Sequence, residues 1–372
     1  MLSRVFLAFI LIASCYALAP LTMLTDTRAK CLDGTLSGYY FEGASAPENS
    51  TKYVIFLEGG GECNKQSTCS SATTGPLGSS KYFSSTRYFG EGEYYANALP
   101  PNPFRSWNRI DVPYCSQDLF SGQKTTTDPS TFGFYFSGHL ILDAVVNALI
   151  QDHGMGSATE VIFTGASAGG IAMWINANWL AAKIPSAKII LAPVAGFYFF
   201  AYPYEGVNHT QTDLVDFREE NFPSLVKLYD AYLDPACATG LGERSYACML
   251  SNYSQQFIPL PFFATTAQTD SVQLTAHDWL PSGDIHDAPE LAYMGQWRDN
   301  MTQALQPALS SSTSNGGFNP ACFIHTSFNS TKPLINGISY LTAFENWYSK
   351  NGEDTKLADT CGLLCNPTCP AS

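Results

Sequence analysis

The residues with the clearest capacity for chemistry are a serine and its flanking glycines, Gly165, Ser167 and Gly169. They fit the pattern G-x-S-x-G, in which a tight strand-to-helix turn exposes a nucleophilic serine hydroxyl. Residues 161–163 have the composition of a buried strand, and apolar residues recur at helical spacing over 171–179. The pattern is weak alone in a chain with 29 glycines, and an ordinary tight turn is the alternative. Its position between a strand and a helix favours the nucleophile.

A second feature is the glycine triplet at residues 59–61, directly after the apolar segment 53–57. A glycine loop after a strand can hold phosphate, but no Lys-Ser/Thr pair follows here to bind a nucleotide. The backbone N–H groups of such a loop can instead stabilise an oxyanion. A plain glycine turn is the alternative.

A nucleophilic serine needs a general base, and the base needs an acid that orients it. In the fold that uses this motif the acid and then the histidine follow the serine along the chain. This order excludes two histidines, His139 and His153, and leaves His209, His277, His286 and His325. We favour His325, because it ends the short apolar segment 321–325 and one helix remains after it. A buried structural histidine is the alternative.

Asp270 is the favoured acid, because it follows an apolar strand that we expect over residues 259–268. A carboxylate there would be presented at the edge of the sheet. The other acidic candidates, Asp278, Asp284 and Asp287, lie in the polar loop beyond and lack this context. We expect no metal or cofactor, since serine, histidine and aspartate suffice for this chemistry.

The N-terminus predicts export. Residues 1–19 read as a signal peptide, with Arg4 before an apolar stretch at 5–13 and small residues at 17 and 19. The stretch is shorter than the ~20 residues that span a bilayer. We therefore expect a secreted, extracellular or cell-wall protein in which residues 20–372 form one monomeric catalytic domain.

The cysteines and sequons agree with this location. Ten cysteines outside the signal peptide predict up to five disulfides, with the pairing left open: Cys31, Cys63, Cys69, Cys115, Cys237, Cys248, Cys322, Cys361, Cys365 and Cys369. Zinc binding by the last three is disfavoured, because no histidine is near them in sequence. Five N-glycosylation sequons are present, at Asn49, Asn208, Asn252, Asn300 and Asn329.

The net charge of −13 argues against nucleic acid or an anionic membrane surface as a partner. Only 14% of the residues are charged, while 20 tyrosines and 24 phenylalanines are present. A surface that is polar through hydroxyls and amides suits a carbohydrate or another neutral ligand.

Strands alternate with helices along the chain. Strands are expected over 38–43, 53–57, 107–114 and 187–193, and helices over 138–153 and 335–348. The alternation predicts an α/β fold with a mainly parallel sheet covered on both faces. Two insertions are expected, 64–108 and 205–258. The aromatic run 196–204 follows a strand and is interpreted equally well as core or as pocket wall.

Six segments together resemble the pectin acetylesterase/Notum family of carboxylesterases. They are FLEGGGEC at 56–63, VPYCS at 112–116, GASAGG at 165–170, TDSVQ at 269–273, CFIH at 322–325 and the cysteine-rich tail at 361–369. The resemblance is collinear from about residue 30 to the end. It implies an α/β-hydrolase fold with the triad Ser167, Asp270 and His325. It also implies an oxyanion hole made by the backbone N–H groups of Gly60, Gly61 and Ala168.

Two residues depart from the family pattern. Glu62 stands where relatives commonly carry an aromatic residue, and Ala166 where they more often have Cys or Thr. Neither touches the triad, so they bear on specificity.

The resemblance implies a secreted serine carboxylesterase that removes acetyl groups from cell-wall polysaccharide of the pectin type. The alternative is Notum-like removal of a fatty acyl group from a secreted protein. An alternative of another class is an inactive carbohydrate- or lipid-binding protein, and a secreted peptidase is less favoured still. The net charge of −13 opposes a polyanionic carrier such as galacturonan.

Overall fold

A computed structural model describes residues 18–283, 287–310, 315–350 and 356–370. The predicted signal peptide up to residue 17, Asp284 and His286 lie outside the described residues. Within these ranges, no helix is both long enough and apolar enough to span a bilayer.

The described part of the chain contains fourteen strands. They are β1 (Ala19–Met23), β2 (Gly38–Glu42), β3 (Lys52–Leu57), β4 (Thr86–Arg87), β5 (Asn108–Val112), β6 (Glu160–Ala166), β7 (Lys188–Val194), β8 (Phe263–Thr265), β9 (Thr269–Asp270), β10 (Gly316–Asn319), β11 (Phe323–Ile324), β12 (Leu334–Ile335), β13 (Ile338–Ser339) and β14 (Lys356–Ala358). Eight α-helices accompany them: α1 (Gln66–Ala72), α2 (Gly138–Asp152), α3 (Ala168–Lys183), α4 (Phe222–Tyr229), α5 (Pro235–Leu241), α6 (Ser251–Ser254), α7 (Ala288–Ser310) and α8 (Tyr340–Ser349).

Ten of the strands form one sheet in the order β14-β10-β8-β7-β6-β3-β5-β2-β1-β4. Every pair from β14 to β5 is parallel, and the three strands from β2 to β4 continue the sheet in antiparallel pairs. The carboxyl ends of the parallel strands therefore share one edge, where ligands collect in sheets of this kind.

Helices cover both faces of this sheet, as the alternation of strands and helices predicts. Side chains of β3 alternate between the faces: Tyr53, Ile55 and Leu57 join one buried cluster, and Val54 and Phe56 join the other. The first cluster includes the buried residues of α2 and α3, and the second includes those of α8. The fold is the predicted α/β class.

The ten cysteines outside the predicted signal peptide form five disulfides: Cys31–Cys115, Cys63–Cys69, Cys237–Cys248, Cys322–Cys369 and Cys361–Cys365. The first closes the longest loop of the five, because its cysteines are 84 positions apart. In a chain-entropy account such a loop gains the most from a cross-link.

Two element predictions were wrong in extent, and one helix was missed. The strand expected over 259–268 is only β8, because Pro259 and Pro261 carry no N–H for a strand ladder. The helix expected over 335–348 begins at Tyr340, after a hairpin whose turn holds Gly337 at φ +77°. The sequence interpretation missed α7, whose 23 residues include Pro307.

Candidate active site

Ser167 lies at the turn between β6 and α3, with φ +55° and ψ −121°. A positive φ is sterically costly for a residue with a Cβ and persists only where the surroundings impose it. Here the Ser167 N–H donates to the Val194 carbonyl at 3.0 Å, which ties the turn to β7. The strained turn is the geometry that the G-x-S-x-G pattern predicts.

The two motif glycines are required by close backbone contacts. A Cβ at Gly165 would lie 2.6 Å from the Gly169 backbone, and a Cβ at Gly169 would lie 2.1 Å from the Leu57 carbonyl oxygen. Helix α3 can begin this close to β3 only because these side chains are absent.

The glycine loop after β3 passes beside Ser167. A Cβ at Gly59 would lie 2.8 Å from the Ser167 Cβ, and Gly60 and Gly61 have φ values of +152° and +74°. The Gly60 carbonyl accepts a hydrogen bond from Gln117 Nε2 at 3.1 Å, which fixes the peptide that carries the Gly61 N–H. Ala168 is the first residue of α3, so its N–H has no partner within the helix.

His325 and Asp270 are brought together by a small parallel pair of strands, in which Ile324 of β11 lies opposite Asp270 of β9. His325 Nδ1 lies 2.8 Å and 2.9 Å from the two Asp270 carboxylate oxygens. Nδ1–H therefore donates to the carboxylate, which leaves Nε2 as the basic nitrogen. Nε2 is buried without a hydrogen-bond partner among the described residues. An imidazole held in this way is ready to accept a proton.

The Asp270 carboxylate is fully buried. Its Oδ1 also accepts the N–H groups of Val272 at 3.1 Å and Gln273 at 3.0 Å. The sequence placed Asp270 at the end of a long apolar strand, and this placement was wrong. Asp270 belongs to a separate two-residue strand, β9, that follows β8.

A cavity of about 710 Å³ contains the other predicted site residues. Ser167, His325 and the three predicted oxyanion-hole residues line it: Gly60, Gly61 and Ala168. Asp270 lies behind His325, outside the lining. Of the other histidine candidates, His277 also lines the cavity, whereas His209 is exposed.

Glu62 and His277 form a polar wall of this cavity, and both side chains are hydrogen-bonded to the backbone of Val215. The Val215 N–H donates to Glu62 Oε1 at 3.1 Å, and the Val215 carbonyl accepts from His277 Nδ1 at 2.7 Å. The two side chains are 5% and 2% exposed, and His277 Nδ1 lies 3.9 Å from Glu62 Oε1. The departure at position 62 therefore puts a buried carboxylate next to the glycine loop.

Tyr198 places a phenol beside the proposed nucleophile. It is the residue of the aromatic run 196–204 that lines the cavity, while Phe197 and Phe199 are core. Burial raises the pKa of Tyr198 well above its ordinary value, the charges of Asp270 and Glu62 raise it further, and a hydrogen bond with the Ser167 side chain opposes them. The run was interpreted equally well as core or as pocket wall, and it contributes to both. Nothing in the sequence distinguished Tyr198 as the ring beside Ser167.

Asp278, the residue after His277, is buried without a cation. Trp297 Nε1 donates to its Oδ2 at 2.7 Å, and its Oδ1 has no partner among the described residues. Burial raises the pKa of Asp278 to about 8, with a smaller contribution from the charge of Asp216. The folded state therefore keeps this carboxyl protonated at pH values where an exposed aspartate is ionised. Asp278 is not part of the proposed triad.

We expect Asp278→Asn to stabilise the protein more at pH 7.5 than at pH 5.5. A raised pKa means that the folded state holds a proton that the unfolded state releases above about pH 4, so stability falls as pH rises toward 8. The asparagine variant lacks this loss. The free energy of unfolding of the variant minus that of the parent should therefore increase by about 1–3 kcal/mol from pH 5.5 to pH 7.5. Urea unfolding of both proteins measures it. An equal difference at both pH values contradicts the assignment.

The sheet, the strained serine turn and the histidine–aspartate pair define an α/β-hydrolase-type protein. The chain belongs to the pectinacetylesterase family, whose model matches residues 13–370. It is a hydrolase of carboxylic esters.

Relatives of two kinds are similar to this chain. Pectin acetylesterase 5 of Arabidopsis thaliana is 28% identical over 92% of this chain and 82% of its own length. Palmitoleoyl-protein carboxylesterase NOTUM of Schmidtea mediterranea is 33% identical over 67% of this chain and 48% of its own length. A structure of the Wnt deacylase Notum from Drosophila has the same fold, with a TM-score of 0.79 at 22% identity, covering 95% of this chain and all of that one.

Proposed function

We propose that this protein is a secreted serine esterase that removes acetyl groups from an extracellular polysaccharide. The observation that carries the proposal is the His325–Asp270 hydrogen bond at 2.8 Å, beside a cavity that also holds Ser167. Within the described part of the chain, His325 Nε2 has no hydrogen-bond partner. This arrangement is suited to acyl transfer through a serine. The five disulfides support an oxidising, extracellular location.

In the proposed reaction, His325 Nε2 takes the proton of the Ser167 hydroxyl as its oxygen attacks the ester carbonyl. Asp270 stabilises the imidazolium that forms. The N–H groups of Gly60, Gly61 and Ala168 bind the oxyanion, and each such donor is worth about 10²–10³ in rate. His325 then protonates the departing alcohol, and water attacks the acyl-enzyme with the same imidazole as base.

The polar groups of the cavity support a short acyl group. Glu62 and His277 line the same cavity as Ser167, and the Tyr198 hydroxyl is hydrogen-bonded to the Ser167 side chain. A long acyl chain against these groups would leave polar atoms buried without partners, which is unfavourable. An acetyl group does not reach as far.

We expect the mature chain to hydrolyse nitrophenyl acetate with at least a tenfold higher kcat/KM than nitrophenyl octanoate, because only the longer chain must cover the polar wall. The measurement uses protein from residue 20 onward, expressed where disulfides form. A preference for octanoate would instead support the second candidate function, removal of a fatty acyl group as in the Notum relatives. The observation in its favour is the apolar remainder of the lining, which includes Leu119, Ile171 and Leu214.

The carboxylates of the cavity oppose an anionic carrier. Glu58, Glu62 and Glu93 line it, and among the described lining residues there is no lysine or arginine. Arg87 pairs with Glu58 from outside the lining. Glu62 lies 3.9 Å from His277 Nδ1 and has no lysine or arginine partner within the described ranges. Added to the net charge of −13, this favours an acetylated glycan with less charge than galacturonan.

A further inference from the structure

A second cavity, of about 370 Å³, adjoins the active-site cavity. Leu214 lines both of them. Val215 lines the second cavity, while its N–H donates to Glu62 in the first. Residues 214–215 are therefore the wall between the two cavities. The proposed reaction uses nothing on the far side of this wall, yet the space there is large enough to hold a small ligand.

The lining of the second cavity combines amide and hydroxyl groups with aromatic rings. Gln211, Thr212, Ser224 and Asn64 supply the polar groups, and Trp279 is the larger of the two rings. A sugar ring has hydroxyls around its edge and C–H groups on its faces. Amides and hydroxyls match its edge, and an indole or phenyl ring matches its faces.

Two charged residues, Lys65 and Asp216, also line this cavity, and each is paired with an opposite charge. Lys65 Nζ lies 3.2 Å from Asp213 Oδ1, and Arg218 Nε lies 2.7 Å from Asp216 Oδ1. Asn221 Nδ2 also donates to that Asp216 oxygen, at 2.7 Å. A ligand with its own charge would have to compete with these pairs, whereas an uncharged ligand would leave them intact.

Two buried polar atoms of the lining have no partner among the described residues, Asn64 Oδ1 and Trp279 Nε1. Trp279 is 8% exposed, and its φ of +59° is a strained conformation for a residue with a Cβ. Polar atoms buried this deeply are nearly always hydrogen-bonded in folded proteins. A sugar hydroxyl both donates and accepts, so it could serve the amide carbonyl and the indole N–H alike.

We propose that the second cavity is a subsite for an uncharged sugar residue of the substrate, next to the residue whose acetyl group lies at Ser167. This inference rests on the proposed polysaccharide substrate. It adds that the protein binds a segment of the polysaccharide and not one acetylated sugar alone. Contacts at the subsite would hold the ester in place and lower KM for longer substrates.

The test compares kcat/KM for mono-O-acetylated xylose and xylotetraose, and for the matching galactose and galactotetraose. In at least one of these neutral series, we expect kcat/KM for the tetramer to be about tenfold higher than for the monomer, mainly because KM is lower. Gln211→Ala and Trp279→Ala should reduce this ratio to about one. The matched control is Gln256→Ala, an exposed glutamine outside the cavity, which should keep it. Gln211 is exposed as well, so its variant tests the subsite even if Trp279→Ala does not fold.

Three outcomes overturn the proposal: a ratio near one in both neutral series, an unchanged ratio in Gln211→Ala, or a larger gain for acetylated tetragalacturonate than for either neutral tetramer. Calorimetry of Ser167→Ala protein with unacetylated xylotetraose and galactotetraose separates the subsite from the esterase. If Ser167→Ala binds the oligosaccharide but the parent has no esterase activity, the subsite is supported and the proposed function is rejected. Esterase activity on nitrophenyl acetate without a chain-length effect would do the reverse.

Discussion

Ser167→Ala is expected to lower kcat for nitrophenyl acetate by about 10⁴–10⁶, because the oxygen that forms the acyl-enzyme is removed. The residual rate should remain above that of water, since the N–H groups of Gly60, Gly61 and Ala168 can still stabilise an oxyanion formed by attacking water. The pH profile should also change, because the residual reaction no longer needs proton transfer from a serine. Steady-state kinetics with the parent and the variant measure both effects.

The fold should tolerate this substitution. Alanine at 167 keeps the Cβ and the positive φ, and the Ser167 N–H that donates to Val194 at 3.0 Å is a backbone group. The side-chain hydrogen bond to Tyr198 is lost, at a cost of about 1 kcal/mol. Thermal unfolding monitored by circular dichroism is the control. Esterase activity within tenfold of the parent, from a folded variant free of contaminating esterase, would show that Ser167 is not the nucleophile.

The serine turn was predictable from sequence because its requirements are local. Glycines are needed at 165 and 169 because an added Cβ would lie 2.6 Å or 2.1 Å, respectively, from backbone atoms of α3 or β3. A strand pattern and a helix pattern flank them directly. The α/β class followed for the same reason, since each strand and helix carries its own period.

The histidine and the acid could be ordered along the chain but not located in space. Asp270 was expected at the end of a long strand, yet β8 ends at Thr265 and Asp270 reaches His325 through the small β9–β11 pair. Pairing between two-residue strands leaves no periodic signal. Helix α7 was missed, although its buried residues Met294, Trp297 and Met301 recur at helical spacing, because polar residues around them and Pro307 dilute the pattern.

The polar wall could not be predicted from sequence at all. Glu62 and Val215 are joined by a hydrogen bond across 153 positions, and His277 reaches the same residue across 62. The glutamate was visible as a departure from the family pattern, but its partners depend on how residues 205–258 fold over the glycine loop. The residues to which we attribute specificity are therefore joined by long-range contacts, whereas the proposed catalytic serine lies in a short motif.

Asp270→Asn is expected to lower kcat by about 10⁴, the loss typical when the triad acid becomes an amide. The surroundings dictate the orientation of the new side chain. Oδ1 accepts the N–H groups of Val272 and Gln273 at 3.1 Å and 3.0 Å, so the amide oxygen must take that position. The amide NH₂ then occupies the place of Oδ2, 2.8 Å from His325 Nδ1, and donates to it. This favours the tautomer of His325 that carries its proton on Nε2 over the one that donates from Nδ1 to the amide oxygen at 2.9 Å. In the favoured tautomer Nε2 cannot accept a proton from Ser167.

Asp278→Asn is the matched control, because it makes the same substitution in a buried aspartate eight positions further along. Its partner is the Trp297 N–H and not a histidine, so its kcat should stay within a few-fold of the parent. Asp270→Ala separates the effect of the tautomer from the effect of the charge. It removes the carboxylate without supplying a donor, so both tautomers of the imidazole remain accessible. It should therefore retain more activity than Asp270→Asn. Equal losses in these two variants would show that the negative charge matters more than the tautomer. Activity of Asp270→Asn within tenfold of the parent would remove Asp270 from the mechanism altogether.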